Sequence, residues 1–160
     1  MIRPVKMKDA QQLVDIYNHY VLNTVVTFDD VPFTVDAFKE KIESIYKIYP
    51  FYVFEEDNKI LGYAYANKWR EKPAYKHTVE STVYLHHEAQ GKQIGTILYT
   101  ELLKQLKEQD YHVVVGGLTL PNEASVKLHE KFGFTQVSHF KEVGLKFDKW
   151  LDVGFWQLTF

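Results

Sequence analysis

The amino-acid sequence predicts an α/β or α+β layer fold with a mixed sheet, built as one domain over residues 1–160. The length is that of one domain, since domains hold roughly 100–200 residues, and 46% hydrophobic and 25% charged residues are ordinary for a globular protein. Segments with strand-like alternation are interspersed with segments of helical spacing, and no repeat or linker divides them. Residues 112–118 are nearly all apolar, which is typical of a strand covered on both faces.

The N-terminal segment predicts one short strand and two helices. The strand lies at Ile2–Val5, and Asp9 then has the character of a helix cap, with Gln12 completing a capping-box pattern three residues later. A second helix begins at Thr34 and runs to Pro50, which cannot continue it.

A hairpin and a further strand follow. Phe51–Glu56 is rich in aromatic and β-branched residues, Asp57-Asn58 supplies a turn, and Ile60–Ala66 returns with alternation. A charged and aromatic loop, Asn67–His77, leads to a strand at Thr78–Leu85. Simple alternation along that strand separates two faces. One face carries Glu80, Thr82 and Tyr84, and the other carries Val79, Ser81, Val83 and Leu85.

The C-terminal half begins with the strongest helix, Gly95–Glu108, whose apolar residues form one stripe. After the apolar strand at 112–118, a helix opens at Pro121-Asn122 and ends at Gly133, which supplies a left-handed stop. The last two segments, Val137–Leu145 and Val153–Phe160, alternate as antiparallel strands.

Composition excludes several classes of protein. A net charge of −2 argues against a nucleic-acid partner, and the absence of cysteine removes disulfides, Cys-ligated zinc and a thiol nucleophile. The start lacks the apolar region of a signal peptide, and no apolar run approaches the roughly 18–20 residues of a membrane span. Neither His86-His87-Glu88 nor His129-Glu130 continues into a zinc motif. We therefore expect a cytoplasmic protein with no metal and no membrane partner.

The stretch from Val79 to Gly95 carries the chemistry. A strand ends there, a short loop contains Gly91 and Gly95, and a long helix begins at once. Backbone N–H groups and the positive end of the helix dipole then point at one spot, where a phosphate or pyrophosphate fits. Lys92 adds one positive charge. The alternative is an ordinary loop that leads into a helix.

The loop Gln90-Gly91-Lys92-Gln93-Ile94-Gly95 resembles the acyl-CoA pyrophosphate loop of the GNAT superfamily of N-acetyltransferases, Q/R-x-x-G-x-G/A. Gln93 stands where the pattern has its first glycine. Further segments resemble the phosphinothricin N-acetyltransferase and methionine sulfoximine acetyltransferase branch over nearly the whole chain. They include Asn18-His19-Tyr20, Ala64-Tyr65-Ala66, Glu80-Ser81-Thr82-Val83-Tyr84, Leu98-Tyr99-Thr100, Leu120-Pro121-Asn122 and 152–158. The resemblance implies a mixed, mostly antiparallel sheet of about seven strands with helices on both faces.

The resemblance also implies acetyl transfer from acetyl-CoA to a small primary amine through a tetrahedral intermediate. Glu80 is our candidate for the base that deprotonates the amine, either directly or through water; alternatively it only orients the ammonium group. His129 occupies the position of a leaving-group tyrosine in many relatives, and is either the partner of the CoA thiolate or a hydrogen-bonded residue of the helix. Backbone N–H groups around Val83–Leu85 would stabilise the oxyanion if the strands splay there, and would be paired if they do not.

Two sets of binding residues follow from the resemblance. Those assigned to acetyl-CoA are Val83, Tyr84, Leu85, Gln90, Gly91, Lys92, Gln93, Ile94, Gly95, Thr96, Asn122 and Ser125. Those assigned to the acceptor are Phe28, Trp69, Arg70, Glu71, Lys72, Tyr75, Glu80, Ser81 and Thr82. Within the second set, Arg70 would grip a carboxylate and Phe28 would close the pocket.

Phe, Tyr and Trp make up 16% of the chain, and they either fill the core or in part line a small-molecule pocket or a subunit interface. The aromatic C-terminal strand and the family precedent imply a homodimer. Two other functions stay open. They are a non-catalytic acyl-CoA-binding module, which Gln93 in the glycine position favours, and acetylation of a protein N-terminus, which an open and flat acceptor groove would favour.

Overall fold

The chain forms seven strands and four α-helices, and the structure, a computed structural model, describes residues 1–160. The strands are β1 (Ile2–Pro4), β2 (Phe51–Glu56), β3 (Lys59–Lys68), β4 (Thr78–Leu85), β5 (Val113–Leu120), β6 (Thr135–Lys146) and β7 (Lys149–Thr159). The helices are α1 (Ala10–Asn23), α2 (Val35–Tyr46), α3 (Ile94–Glu108) and α4 (Glu123–Lys131).

All strands belong to one sheet in the order β1-β2-β3-β4-β5-β7-β6. Every neighbouring pair is antiparallel except β4 and β5, which are parallel. The element order and the mixed, mostly antiparallel sheet are as predicted. The parallel pair requires a crossover, which α3 provides on one face of the sheet.

Alternation along β3 shows how the helices cover both faces. Tyr63 and Tyr65 belong to a core cluster with residues of α1 and α2. Ala64 and Ala66 point the other way, into a cluster with residues of α3. The small alanine side chains leave room for the leucines of α3, and each fully buried leucine contributes about 1.5–3 kcal/mol of transfer free energy.

The start of α1 differs from the predicted capping box. The Asp9 carboxylate does not cap α1; it accepts hydrogen bonds from the Lys6 amide at 2.8 Å and from the Arg3 guanidinium at 2.8 and 2.9 Å. Gln12 instead reaches the β2–β3 turn, where its carbonyl oxygen accepts from the Ile60 amide at 2.8 Å. A bidentate pair with a guanidinium joins two opposite charges, whereas a cap would pair the carboxylate with uncharged backbone amides, so Arg3 takes the carboxylate.

The second helix begins as predicted but ends earlier. Thr34 caps it, accepting a hydrogen bond from the Ala37 amide at 3.1 Å. The helix stops at Tyr46, and the amides of Ile48 and Tyr49 both bond to the Ile45 carbonyl in a closing turn. The residue before a proline disfavours the helical region, so the influence of Pro50 reaches back along the chain.

The final hairpin is longer than predicted. β6 extends to Lys146 and β7 starts at Lys149, so most of the residues expected between the strands are paired. Phe147 and Asp148 form the connection with φ of 51° and 59°. Two left-handed residues are typical of a tight hairpin turn, and because neither residue is glycine or asparagine this turn has little signal in the sequence. No helix in the structure has the length and apolar character needed to cross a membrane.

Candidate active site

The sheet opens between its two parallel strands. β4 pairs with β5 only where Thr78, Val79 and Glu80 lie beside Val113–Val115. Beyond Glu80 the strand keeps its partner β3 on one side, and on the other side it separates from β5. The strands therefore splay, which decides between the two alternatives left open for Val83–Leu85, and a cleft begins at Glu80.

Two amides of β4 face this cleft. The His86 amide donates to the Leu61 carbonyl on β3 at 2.8 Å. Because hydrogen bonds alternate along an antiparallel pair, the amide of Tyr84 also faces β3, and those of Leu85 and Val83 face the cleft. The Leu85 carbonyl accepts from the Tyr20 hydroxyl at 2.5 Å on this side. Among Val83, Tyr84 and Leu85, the amide of Tyr84 thus faces away from the cleft, although Tyr84 is one of the residues that line it.

Glu80 and His129 line one cavity at the start of the cleft, about 140 Å³ in volume. Burial raises the pKa of Glu80, and the positive charge of Arg70 opposes this rise. A carboxylate with a raised pKa is better suited to accept a proton near pH 7 than an ordinary glutamate is. Ser81, Thr82, Asn122 and Ser125 also line this cavity.

A chain of hydrogen bonds runs behind Glu80. The Nδ1 of His129 lies 2.7 Å from the Ser125 carbonyl, which can only accept, so Nδ1 carries a proton. The Nε2 then accepts from the Tyr99 hydroxyl at 3.0 Å, and Tyr99 in turn accepts from the Ser81 hydroxyl at 3.0 Å. Burial lowers the pKa of His129, so its imidazole is neutral and oriented.

Gly116 on β5 makes room for this imidazole. A Cβ at that position would lie 2.6 Å from the His129 Nε2, a distance that real side chains do not reach. His129 is 1% exposed, so it has little space to retreat. The glycine therefore belongs to the site although the sequence analysis did not select it.

A second cavity of about 280 Å³ continues the cleft toward the glycine loop. It shares part of its lining with the first, since Val83, Asn122 and Ser125 contribute to both. Asn122 also caps α4, its side-chain oxygen accepting from the Ser125 amide at 3.2 Å. The rest of its lining is Tyr20, Val26, Tyr84, Leu85, Gln90, Gly91, Ala124 and Leu128.

The glycine loop has two left-handed residues. Gly91 has φ of +81° and Gln93, in the position where the family pattern has glycine, has φ of 60°. The Gln93 side chain is exposed and does not line the cavity, so the glutamine adopts the glycine-like backbone without closing the groove. Lys92 is also exposed.

The start of α3 presents free amides beside this loop. The first amides of a helix lack intrahelical partners, and no side chain caps α3, so those of Ile94, Gly95 and Thr96 are available. Gly95 permits close packing, since a Cβ there would lie 3.3 Å from Leu128. Lys131, which the sequence analysis missed, approaches the Thr96 hydroxyl at 3.4 Å.

The residues assigned to the acceptor fall into separate groups. Trp69, Arg70 and Tyr75 line a third cavity beside the cleft, and Arg70 lies 4.8 Å above the Trp69 ring. The other residues of that cavity are Thr78, Val113, Val115, Val137, Ser138, Phe140, Phe155 and Gln157. Glu71 and Lys72 lie at a shallow outer rim with Arg70 and Tyr75.

Three of the residues assigned to the acceptor do not line the cavity formed by Trp69, Arg70 and Tyr75. Glu71 pairs with Lys68 at 3.2 Å on the surface. Ser81 is buried and points toward Tyr99, on the opposite face of β4 from Glu80. Phe28 lines none of these cavities; its ring packs on Gly144 of β6.

Sequence reasoning also missed Tyr20, Val26 and Tyr99. Val26 lines both cavities of the cleft, and Tyr20 and Tyr99 bond to its walls. Tyr20 and Tyr99 lay within the segments that resemble the family, but neither carries a motif of its own. The structure contains no group of three or more histidine, aspartate or glutamate side chains placed to hold a metal ion.

Comparisons with known proteins agree with this geometry. The model of the acetyltransferase (GNAT) domain family matches residues 2–154. The chain is 40% identical to a phosphinothricin N-acetyltransferase of Streptomyces viridochromogenes over 159 residues, covering 99% of this chain and 87% of the relative. It is 36% identical to an L-methionine sulfoximine/L-methionine sulfone acetyltransferase of Salmonella typhimurium over 158 residues, covering 98% and 92%.

A solved structure shows the same fold. The phosphinothricin acetyltransferase of Sinorhizobium meliloti, in complex with acetyl-CoA, superimposes with a TM-score of 0.96 at 30% identity, covering 99% of this chain and 87% of that one. Three observations support the same family. The strands β4 and β5 separate, a glycine loop precedes α3, and the family model matches nearly the whole chain. The chain belongs to the GNAT acetyltransferase family and is an N-acetyltransferase.

Proposed function

We propose that this N-acetyltransferase transfers the acetyl group of acetyl-CoA to the primary amine of a small amino-acid-like acceptor, with phosphinothricin and methionine sulfoximine as the leading acceptors. The observation that carries the proposal is the continuous cleft between β4 and β5. Glu80 lies at one end and Gly91 at the other. The relatives named for these two acceptors support the choice of substrates.

The cleft fits acetyl-CoA, which supplies an activated acetyl thioester when bound. The free amides of Ile94, Gly95 and Thr96 at the start of α3 would hold the pyrophosphate, with Lys92 nearby. The inward amides of Val83 and Leu85 would bond to the pantetheine arm as an added strand does. Gln90, Gly91, Gln93, Asn122 and Ser125 complete the set that we propose for the donor.

Glu80 is the base in this proposal. An amine must lose a proton before it attacks a thioester. The raised pKa of Glu80 increases the affinity of its carboxylate for that proton. The carboxylate acts directly or through a water molecule. Negative charge that develops on the thioester oxygen would be stabilised by the cleft-facing amides of Val83 and Leu85.

His129 is proposed as the partner of the leaving thiolate. Its neutral Nε2 holds no proton of its own, so it must first take one at this atom before it can give one away. When the C–S bond breaks, the departing thiolate needs one proton, and the amine releases one to Glu80. His129 would take up that proton at Nε2 and give it to the sulfur, while the Tyr99 hydroxyl, which lies against Nε2, keeps its own proton and orients the ring.

Arg70 is proposed to bind the acceptor carboxylate. Its guanidinium lies over Trp69 in the aromatic cavity, and its positive charge opposes the rise in the pKa of Glu80. A carboxylate held there would leave the amine of an amino acid directed toward Glu80. Lys72, Tyr75 and Thr82 are proposed to complete the acceptor site, with Glu71 and Ser81 at its edges.

We also propose a cytoplasmic homodimer of single-domain chains. The hairpin of β6 and β7 carries large apolar side chains that are at least half exposed, an unusual surface for a monomer. They are Val137, Phe140, Val143, Leu145, Phe147 and Trp150. Sedimentation at several concentrations tests this assignment, and Trp150→Glu should shift the distribution toward monomer.

The proposed function is tested by release of free CoA thiol. The chain is mixed with acetyl-CoA and with phosphinothricin, L-methionine sulfoximine, L-methionine sulfone, a set of ordinary amino acids and a peptide with a free N-terminus. We expect the highest kcat/KM with the amino-acid analogues. A rise in melting temperature with acetyl-CoA but no thiol release with any amine would favour a non-catalytic binding module. Preference for the peptide would favour N-terminal acetylation.

A further inference from the structure

A buried lysine near the end of the last hairpin holds the segment between α1 and α2. Lys146 is 5% exposed, and its Nζ donates to the carbonyl oxygen of Thr27 at 2.8 Å. Lysine is almost never fully buried unless it is paired. The neighbouring carboxylates Asp29 and Asp30 belong to the same segment and attract the ammonium group.

The same strand makes a second contact with this segment. Gly144 lies two residues before Lys146, and an ideal Cβ there would overlap ring atoms of Phe28. The phenyl ring therefore rests directly on the backbone of β6. The two contacts fix consecutive residues, Thr27 through its carbonyl and Phe28 through its ring.

The other side of the segment is tied to α1. The Tyr17 hydroxyl lies 2.8 Å from the Thr27 hydroxyl and also donates to Asp29. Val26, next to Thr27, lines both cavities of the cleft. A segment that forms a wall of the cleft is thus clamped between α1 and the end of β6.

We propose that Lys146 is a positioning residue for acceptor binding: by holding the Thr27 carbonyl it sets the place of the neighbouring Val26, which lines the cavity that contains Glu80. The inference rests on the proposed function. The proposed role of Lys146 explains why its ammonium group is buried, far along the chain from Glu80, with a backbone carbonyl as its hydrogen-bond acceptor. The role concerns the geometry of the wall, and Lys146 touches no reacting atom.

The test replaces Lys146 with methionine, which keeps the length of the side chain and removes the donor. Lys149→Met is the matched control, because Lys149 is exposed and pairs with Lys146 across the same hairpin. For Lys146→Met we expect the KM of the acceptor to rise about tenfold, with kcat and the KM of acetyl-CoA within about threefold of wild type. Lys149→Met should resemble wild type in all three constants.

A second variant reaches the segment by another contact. Gly144→Ala places a methyl group against Phe28 and should raise the acceptor KM in the same way. In a Phe28→Ala background the same change should add little, because the ring that it displaces is gone. Additive effects of Gly144→Ala and Phe28→Ala would contradict the proposed contact.

Hydrogen exchange of residues 24–33 in the free protein gives a readout that does not depend on activity. Faster exchange in Lys146→Met than in Lys149→Met is expected. Three results would overturn the positioning role. They are faster exchange with an unchanged acceptor KM, equal changes in the KM of the acceptor and of acetyl-CoA, and unaltered exchange. If the wild-type chain acetylates no amine, the proposed function fails, and the exchange result then shows by itself whether Lys146 holds the segment.

Discussion

The Nδ1 of His129 bonds to the carbonyl oxygen of Ser125 at 2.7 Å, one turn earlier in the same helix. This contact decides which nitrogen of the ring carries the proton and leaves Nε2 to face Tyr99. A histidine so fixed at neutral pH is a proton acceptor first. The tautomer of His129 is therefore set by the backbone of α4.

Replacement of Glu80 by glutamine tests the base. Removal of the carboxylate should lower kcat by roughly 10²–10⁴ if Glu80 takes the amine proton, whereas a change in KM alone would indicate a binding role. In the wild-type protein kcat/KM should increase as pH rises through the pKa of Glu80, which burial holds above its ordinary value. The exposed Glu56→Gln serves as control, and initial rates of thiol release between pH 4 and 9 give the profile.

Replacement of Tyr99 by phenylalanine tests the buried hydrogen-bond chain. The change leaves the Ser81 hydroxyl and the His129 Nε2 without this partner and should reduce the free energy of unfolding by about 1–3 kcal/mol. The donated bond favours neutral imidazole, so its loss should also raise the pKa of His129, measured by NMR titration. Tyr111→Phe, at a half-exposed ring, should change stability by less than about 0.5 kcal/mol. An unchanged pKa of His129 would contradict the assigned tautomer.

The left-handed backbone at Gln93 predicts an unusual stabilising change. Gln93→Gly should raise the free energy of unfolding by about 0.5–1 kcal/mol, because relief of the left-handed strain exceeds the added entropy of the unfolded chain. Lys92→Gly has no such strain to relieve and should be neutral or destabilising. Gly91→Ala, at φ of +81°, should destabilise. Urea unfolding of the ligand-free variants measures all three, and a loss of stability in Gln93→Gly would contradict this account.

The Arg3–Asp9 ion pair predicts part of the decrease in the free energy of unfolding at acidic pH. Burial alone would raise the pKa of Asp9, but the hydrogen bonds from Arg3 and from the Lys6 amide outweigh it, and the pKa is lowered. The stabilisation is therefore present above the ordinary pKa of 3.8 and is lost as pH falls through the lowered value. Asp9→Asn should cost about 2 kcal/mol at pH 7 and progressively less at more acidic pH. Exposed Asp15→Asn is the control, and a difference from wild type that persists at the lowest pH would be inconsistent with this pair.

Sequence alone predicted the elements whose signals are local. Periodicity and turn residues placed β2 and β4 at their observed bounds, and Thr34 and Asn122 cap helices as expected. The Asp9 capping box was wrong because its outcome depended on Arg3, which a local pattern does not reveal. The turn at Phe147-Asp148 was missed because tertiary pairing imposes its backbone.

The residues of the candidate site likewise divide into those that local sequence patterns indicate and those that only tertiary contacts reveal. Glu80, Gly91 and His129 lay in segments that resemble the family, and the structure places them along one cleft. Tyr99 and Gly116 matter through contacts with His129 across 30 and 13 residues of chain, so no spacing in the sequence points to them. Phe28 was expected to close the pocket; it packs on Gly144 instead, a contact across 116 residues of chain that no spacing in the sequence reveals.

The three-residue junction between β4 and β5 divides the sheet into two unequal plates, with β1–β4 on one side and β5–β7 on the other. A ligand that lies along the gap and hydrogen-bonds to its open edge would replace the hydrogen bonds that β4 and β5 do not make with each other. Filling the gap would therefore also stabilise the folded protein, and the temperature at which the two plates come apart would rise with the concentration of that ligand.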